Sequence, residues 1–585
     1  MCGNVGTGVR IEYEAEWHST TFRLQWWFRC AISLCALVDC WVCRYIMDPD
    51  SVSYFDMGDF YWKANWHTAL NSYWSPLYGW ITGFMFLTSK PAMRWEYPEA
   101  HLLNFAILMA ALFCFEFFWR ELLAFRSDNA WAGSSQRYAW VLGYLLFAYV
   151  HLAIHPLSML EPDLLVAALV YIASGMMLRF ASGRMATVSA FLLGVLLGVG
   201  YLTKAAMLPF AFILMATMLG VAWRQHRRKL MVAATLLGFL VTSLPFIAAL
   251  SLNMHRFTFG DSAKMVYAYC VNQQDKDIPH LHYWQGDMPG HLDALHPARQ
   301  LFAWPEVYEF ATPIAGTYPL WYDPVYWNAG LDSSVHIARE LQALARNLKM
   351  ITIYVILRSG CLTTVVLMFV LGGRIRDSWR NLMAFWPILV PAVAVFLMYM
   401  MVHWEARFTS GEFLVLWGAA IVSTNTSGEA RSTKVYWAAS FLLCVLFVRR
   451  YSLLMLEEYR QDNLSSQTVT VAEDLRTSGI EPGDPIAVIG YGNHAAYWAR
   501  LGRLKIVAEV PHLSGMGDSA TAFWNSGPES EKAVLNILKG TGARAVIAEV
   551  HPAALPPGWI PMGDTGRALY FLRSIPGDYS ISAKN

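Results

Sequence analysis

Eleven runs of about twenty apolar residues constrain this chain more than any other feature, lying near 24–46, 99–119, 138–156, 162–179, 186–203, 205–222, 231–252, 349–372, 382–402, 408–424 and 434–453. Each is long enough for a helix to cross the hydrocarbon core of a bilayer, where a segment must satisfy its own backbone hydrogen bonds. The chain is 56% hydrophobic and 15% charged, against about 45–50% and about 25% in ordinary soluble domains. Its 25 Trp, 28 Tyr and 32 Phe suit two interfacial aromatic belts. The expected fold class is therefore mainly α, a polytopic membrane helical domain of about 11 transmembrane helices. The residues before 22 carry charges and no apolar core, so the first run reads as a retained span and not a cleaved leader.

Lys and Arg accumulate in short cytoplasmic loops. With the N-terminus inside, the inner loops hold Arg120, Arg126 and Arg137, then Arg179 and Arg184, then Arg224, Arg227, Arg228 and Lys229. Arg374, Arg376 and Arg380 follow, and then Arg431 and Lys434. A further apolar stretch, PLYGWITGFMFLTS (76–89), is short and lies between Pro76 and Pro91. Counting it as a crossing would turn every later cluster outward, so it reads as a helix lying in the interface. The resulting organisation is a cytoplasmic segment 1–23, a transmembrane domain 24–455 with outer loops 47–98 and 253–348, and an extracytoplasmic part 456–585.

That last part alternates short apolar runs (IAVIG 486–490, KIVAEV 505–510, RAVIAEV 544–550) with helical patterns (HAAYWARLG 494–502, EKAVLNILKG 531–540). The alternation predicts a small C-terminal α/β domain with a mainly parallel sheet. Gly490-Tyr491-Gly492 lacks the third glycine and downstream acid of a dinucleotide site. A net charge of +1 leaves no basic excess for a nucleic-acid partner. Cys30, Cys35, Cys40 and Cys43 fall in one apolar run at spacings of neither a zinc site nor a disulfide framework, and read as packing residues. The lack of a disulfide set in the outer regions favours a bacterial inner membrane, with the outer face periplasmic.

Chemistry is expected in the outer regions. MDPDSVSYFDMGDFYW (47–62) places Asp48, Asp50, Asp56 and Asp59 at the boundary of the first span. Carboxylates near lipid need partners or a task, and a raised pKa there suits a general base; the alternative is helix capping, with Asp50 before Ser51 and Val52 as the cap. In 253–348, His255, His280, His282, His291 and His296 accompany Asp275, Asp277, Asp287 and Asp293, but at no metal-binding spacing. The aromatic run TYPLWYDPVYW (317–327) suits packing over a sugar or headgroup, or against the membrane.

An acidic pair closing the first span, a Tyr-containing helix and then WSPLY (74–78) resemble the first outer loop of the protein O-mannosyltransferase and aminoarabinose transferase superfamily, lipid-phosphosugar-dependent enzymes of the GT-C fold. EPDLLVAAL (161–169), GVLLGVGYLTKAAMLP (194–209) and HWEARFTSGEFLVLW (403–417) resemble that superfamily in the same order. FGDSAKMVYAYCVN (259–272) and YEFATPIAGTYPLWYDPVYW (308–327) resemble an unassigned bacterial branch of it. The resemblance implies a membrane glycosyltransferase that takes a sugar from a polyprenyl-phosphate donor to a hydroxyl of a lipid, glycan or protein acceptor, with inversion. One carboxylate would serve as base, Asp50 with Asp48 as its neighbour, although Pro49 separates two acids that are adjacent in many relatives. Lys204 and Arg407, at the outer ends of two spans, could reach the donor phosphate or simply snorkel to the interface. Asp163, His155, His403 and Glu405 lie at the same level as secondary candidates. No cofactor is firmly implied, and a divalent cation is left open. The competing reading is a transporter or flippase of a lipid-linked sugar, but the paired broken helices and midplane charges of such proteins are not evident.

Overall fold

A computed structural model describes residues 5–126, 134–272, 299–310, 315–327, 329, 333–354, 360–426, 428–511, 519–550 and 555–573. The first half runs α1 (Val5–Val42), α2 (Pro49–Trp62), α3 (Trp66–Ala69), α4 (Pro76–Ser89), α5 (Glu96–Phe125), α6 (Ser134–Tyr149), α7 (Asp163–Ala181), α8 (Thr187–Thr203), α9 (Met207–Ala222) and α10 (His226–Asn253). After α11 (Ser262–Tyr267) come strands β1 (Arg299–Phe302) and β2 (Val307–Glu309), then the short helices α12 (Pro319–Tyr322) and α13 (Pro324–Trp327). Helices α14 (Ile337–Ile351), α15 (Cys361–Gly372), α16 (Ile375–Ala384), α17 (Trp386–Met401), α18 (Ser410–Ser423) and α19 (Glu429–Ser465) complete the bundle.

Among the described residues, five helical stretches are long and apolar enough to cross a membrane, six if the pair α16 and α17, bent by 83°, counts as one span. The protein is an integral membrane protein. Ten of the eleven expected runs coincide with a helix. The exception is 349–372, expected as one span: α14 ends at Ile351, and α15 begins only after Gly360, whose φ of 63° is left-handed. An α-helix cannot continue through that backbone, and glycine adopts it without steric cost.

Helix α4 is the short run 76–89, and its 14 residues span about 21 Å, less than the roughly 30 Å of a hydrocarbon core. It lies along α2 instead. A Cβ on Gly58 of α2 would stand 2.5 Å from the carbonyl oxygen of Gly79 on α4, so two bare backbones meet there. Asp48 caps α2 and Pro49 occupies its first turn, where the missing N–H costs nothing. The same close approach joins α8 to α10, where a Cβ on Gly194 would collide with the Thr235 carbonyl oxygen, as small-residue contacts between membrane helices require.

Helix α19 leads into α20 (Gln467–Thr477), followed by β3 (Pro485–Gly490), α21 (Gly492–Leu501), β4 (Lys505–Pro511), α22 (Ser519–Asn525), α23 (Pro528–Gly540), β5 (Ala545–Glu549), β6 (Ile560–Pro561) and β7 (Arg567–Phe571). The sheet order is β1-β2-β4-β3-β5-β7-β6. Its centre, β4-β3-β5, is parallel, but β2 joins β4 and β7 joins β5 antiparallel, so the sheet is mixed where the sequence suggested mainly parallel pairing. Strands β1 and β2 come from the segment between α10 and α14, with Tyr308 opposite Glu509. Local patterning could not show a partner two hundred residues away. One buried apolar cluster joins Val52 and Phe55 of α2, Tyr97 of α5 and Leu160 to Trp498, Ile486 and Leu569, so the α/β unit is packed onto α2.

Candidate active site

The cap of α2 fixes the two acids that the sequence singles out. One oxygen of Asp48 accepts from the Ser51 amide at 2.8 Å and the other from the Ser51 hydroxyl, which reaches the Leu160 carbonyl at 3.1 Å. Asp48 is thereby committed to the cap. Asp50, in the first turn, has one oxygen accepting from the Trp321 indole N–H at 3.0 Å and the other 3.8 Å from Arg407 Nη2. Trp321 is held in turn, its carbonyl accepting from the Ser53 hydroxyl at 3.2 Å and the Trp74 indole at 3.3 Å.

Burial pushes the Asp50 carboxyl up to about 6; the Arg407 charge opposes this and the Asp48 charge adds to it. Burial also raises Asp48, against the hydrogen bonds from Ser51. At neutral pH Asp50 is an ionised carboxylate with a pKa close enough to neutrality to accept a proton efficiently.

Arg407 sits in a 3₁₀ turn, Ala406–Thr409, that enters α18. It donates through Nε to Glu405 at 2.6 Å, and its Nη1 pairs closely with Glu161. His403 Nε2 lies 2.9 Å from the other Glu405 oxygen. Lys204, extended at the C-terminal end of α8, donates to Asp163 at 2.5 Å. The Phe408 ring joins the two cations, with Lys204 Nζ 4.1 Å and the Arg407 guanidinium 4.9 Å from its centroid. His155 is buried with Nδ1 unbonded, within electrostatic reach of Asp163, Arg407 and Lys204.

All eight residues named from the sequence (Asp48, Asp50, Lys204, Arg407, Asp163, His155, His403 and Glu405) therefore converge on one cluster. Sequence reasoning did not select Glu161, Trp321 or Phe408. The signal for Glu161 was at hand, since it opens EPDLLVAAL two residues before Asp163. The boundary acids divide: Asp56 and Asp59 face away from this cluster and bind Arg500 of the α/β unit. His255 is exposed at the end of α10; His280, His282, His291, His296, Asp275, Asp277, Asp287 and Asp293 lie outside the described residues.

Asp48, Asp50 and Glu161 each offer a carboxylate oxygen within 4.8 Å of the others, a set able to hold a divalent cation. Arg407 already supplies the counter-charge for two of the three, and Ser51 occupies both oxygens of the third. A cation there would have to displace the guanidinium, so the donor set fits one poorly.

Fold and site together define a polytopic helical membrane protein of the GT-C fold, with a half-buried carboxylate and two cations gathered in one cluster. No protein-family model and no curated protein matches the chain. Among solved structures it is similar to ArnT from Cupriavidus metallidurans in the apo state, with a TM-score of 0.50 and 10% identity over 93% of this chain and 97% of that one. ArnT from the same organism bound to undecaprenyl phosphate matches with a TM-score of 0.48 at 10% identity, over 93% of this chain and 97% of that chain. The Archaeoglobus fulgidus oligosaccharyltransferase AglB, in complex with an inhibitory peptide and a dolichol-phosphate, gives 0.41 at 11% identity over 89% of this chain and 69% of that chain. At these identities the likeness is one of fold.

Proposed function

We propose that this protein is a membrane glycosyltransferase that moves a sugar from a polyprenyl-phosphate donor to an acceptor hydroxyl at the outer face, the periplasmic face of a bacterial inner membrane. The observation that carries this reading is the meeting of Asp50, Arg407 and Lys204 in one half-buried cluster. Asp50 removes the acceptor O–H proton as the oxygen attacks the anomeric carbon. The bond from that carbon to the phosphate oxygen breaks, and the electron pair leaves with the polyprenyl phosphate. Attack opposite the leaving group inverts the anomeric centre. Lys204 and Arg407 stabilise the charge that develops on the phosphate, and their carboxylate partners hold them in place until the donor competes for them. Asp48 supports the cap that aims Asp50. The acceptor is a lipid, a glycan or a protein hydroxyl.

No step is assigned to a metal ion at Asp48, Asp50 and Glu161, because Arg407 occupies that role. Turnover is expected to be unchanged by EDTA; loss of turnover restored by Mg²⁺ or Mn²⁺ would reassign the three carboxylates to a cation.

The reading is tested with purified protein in detergent, a pool of radiolabelled polyprenyl-phosphate sugars and a membrane acceptor fraction. Label is expected to move from donor to acceptor. Lys204→Ala should raise the donor KM by about 10- to 100-fold, the worth of one charge-assisted contact of about 1.5–3 kcal/mol. Labelled donor crossing sealed vesicles uncleaved, with no transfer, would assign transport instead.

A further inference from the structure

A second cluster of acidic and sulfur groups, unused by the reading above, lies where α1, α5 and α19 meet. Asp39 on α1 and Glu458 on α19 are 0% and 3% exposed, and none of their four oxygens has a well-aligned hydrogen-bond partner, although the two carboxyls face one another with the Cys43 thiol beside Asp39 and Ser158 beside Glu458. Cys43, just past α1 and 0% exposed, completes a trio in which one donor atom from each residue lies within 4.8 Å of the others. Two carboxylates facing one another in an apolar bundle are costly unless a positive charge or a shared proton stands between them.

His101 on α5 adjoins the trio on its Cys43 side, with its ring outside the set of donors that lie within 4.8 Å of one another. It is 0% exposed, and its Nδ1 lies 3.5 Å from Cys43 Sγ. Its Nε2 lies 3.0 Å from the carbonyl oxygen of Ile46, which can only accept, so Nε2 carries the hydrogen and Nδ1 presents a lone pair to the sulfur. A backbone carbonyl behind the ring is the arrangement that orients histidine ligands toward metals.

We propose that Asp39, Cys43 and Glu458 bind one zinc ion, with the His101 ring turning in beside Cys43 as the fourth ligand. One sulfur, one nitrogen and two carboxylate donors match the tetrahedral preference of Zn²⁺, and a thiolate with an imidazole disfavours Mg²⁺ and Ca²⁺. The ligands are buried where α1, α5 and α19 meet, so the ion is structural and clamps the first helix to α5 and to α19, which leads into the α/β unit. Binding releases the Cys43 proton, and any proton between the carboxylates, to solvent. Four ligands drawn from sequence positions 39 to 458 leave no spacing signature, which is why Cys43 reads as a packing residue in sequence.

The test is metal analysis of the full-length protein, purified in detergent without chelators from zinc-supplemented cells. About one zinc per chain is expected. Cys43→Ser and Glu458→Gln should each lower this at least fivefold, whereas Asp50→Asn should retain it, which separates this site from the carboxylates near Arg407. X-ray absorption on the wild type should show one sulfur ligand at about 2.3 Å. Wild-type protein without zinc after incubation with Zn²⁺, or zinc with no sulfur ligand, would overturn the proposal and leave a shared proton between Asp39 and Glu458. The wild-type absorption measurement decides the matter even if both variants fail to fold.

Discussion

Asp50→Asn is expected to lower the rate of sugar transfer by about 10²–10⁴-fold, the usual contribution of a positioned base, while the protein keeps its folded yield and thermal midpoint. The amide has nearly the volume of the carboxylate and can still accept from Trp321, which sits 3.0 Å away, so the change removes proton acceptance more than packing. The pH dependence follows from the same group. Because burial holds the Asp50 carboxyl at about 6, the base is ionised above that pH, and transfer should fall as pH drops through 6. Stability runs the other way: a carboxyl raised above its ordinary value of about 4 contributes stability fully below that value and loses it as pH rises through about 6. Between pH 4 and 6, transfer should therefore rise while the contribution of Asp50 to the thermal midpoint declines. A transfer rate unaffected by Asp50→Asn would move the base to Asp48 or elsewhere.

Arg500→Ala is expected to destabilise the protein by about 3–5 kcal/mol, the range for removing one partner from a buried ion cluster. Arg500, 2% exposed on α21, lies 2.8 Å from Asp56, 3.0 Å from Asp59 and 3.0 Å from Glu96, and Arg503 adds a 2.6 Å contact to Glu96. Asp56 also accepts from the Thr317 amide at 2.6 Å and from its hydroxyl at 3.0 Å. The two aspartates respond differently. Burial raises Asp56 despite Arg500, whereas for Asp59 the opposing charges of Arg500, Arg503 and Lys63 outweigh burial and hold it at about 2. Asp59 thus contributes stability above about pH 4 that is lost as pH falls toward 2. Losing the arginine leaves three carboxylates facing one another at the seam between α2 and the α/β unit. The measurement is the thermal midpoint in detergent, together with the combined variant Asp56→Asn, Asp59→Asn, Arg500→Met, which removes both signs of charge and should recover part of the loss. A midpoint shift equivalent to less than about 1 kcal/mol, as for an exposed pair, would show that the seam is held by the apolar cluster of Phe55, Tyr97 and Trp498 alone. Since α2 carries Asp50, loosening the seam should also lower the transfer rate.

The sequence determined the membrane class, ten of the eleven apolar helices and the α/β character of the last part, because apolar length and local periodicity are properties of contiguous residues. Pro76 opening α4 and the brevity of 76–89 were legible for the same reason, whereas the cap of α2, expected at Asp50, is Asp48, with Asp50 in the first turn. The order of EPDLLVAAL, YLTK and HWEARF along the chain, with alternating sidedness, placed Asp163, Lys204 and Arg407 at one level before any contact was known. Only the tertiary structure could divide the four boundary acids, since Asp50 and Asp56 lie within two helical turns and differ only in which distant arginine, Arg407 or Arg500, each one meets. It likewise decided that β1 and β2, from the segment between α10 and α14, complete the sheet, that Gly360 interrupts the expected span, and that Cys43 faces Glu458. Pairings across hundreds of residues depend on how whole helices pack, and neither periodicity nor spacing carries that information.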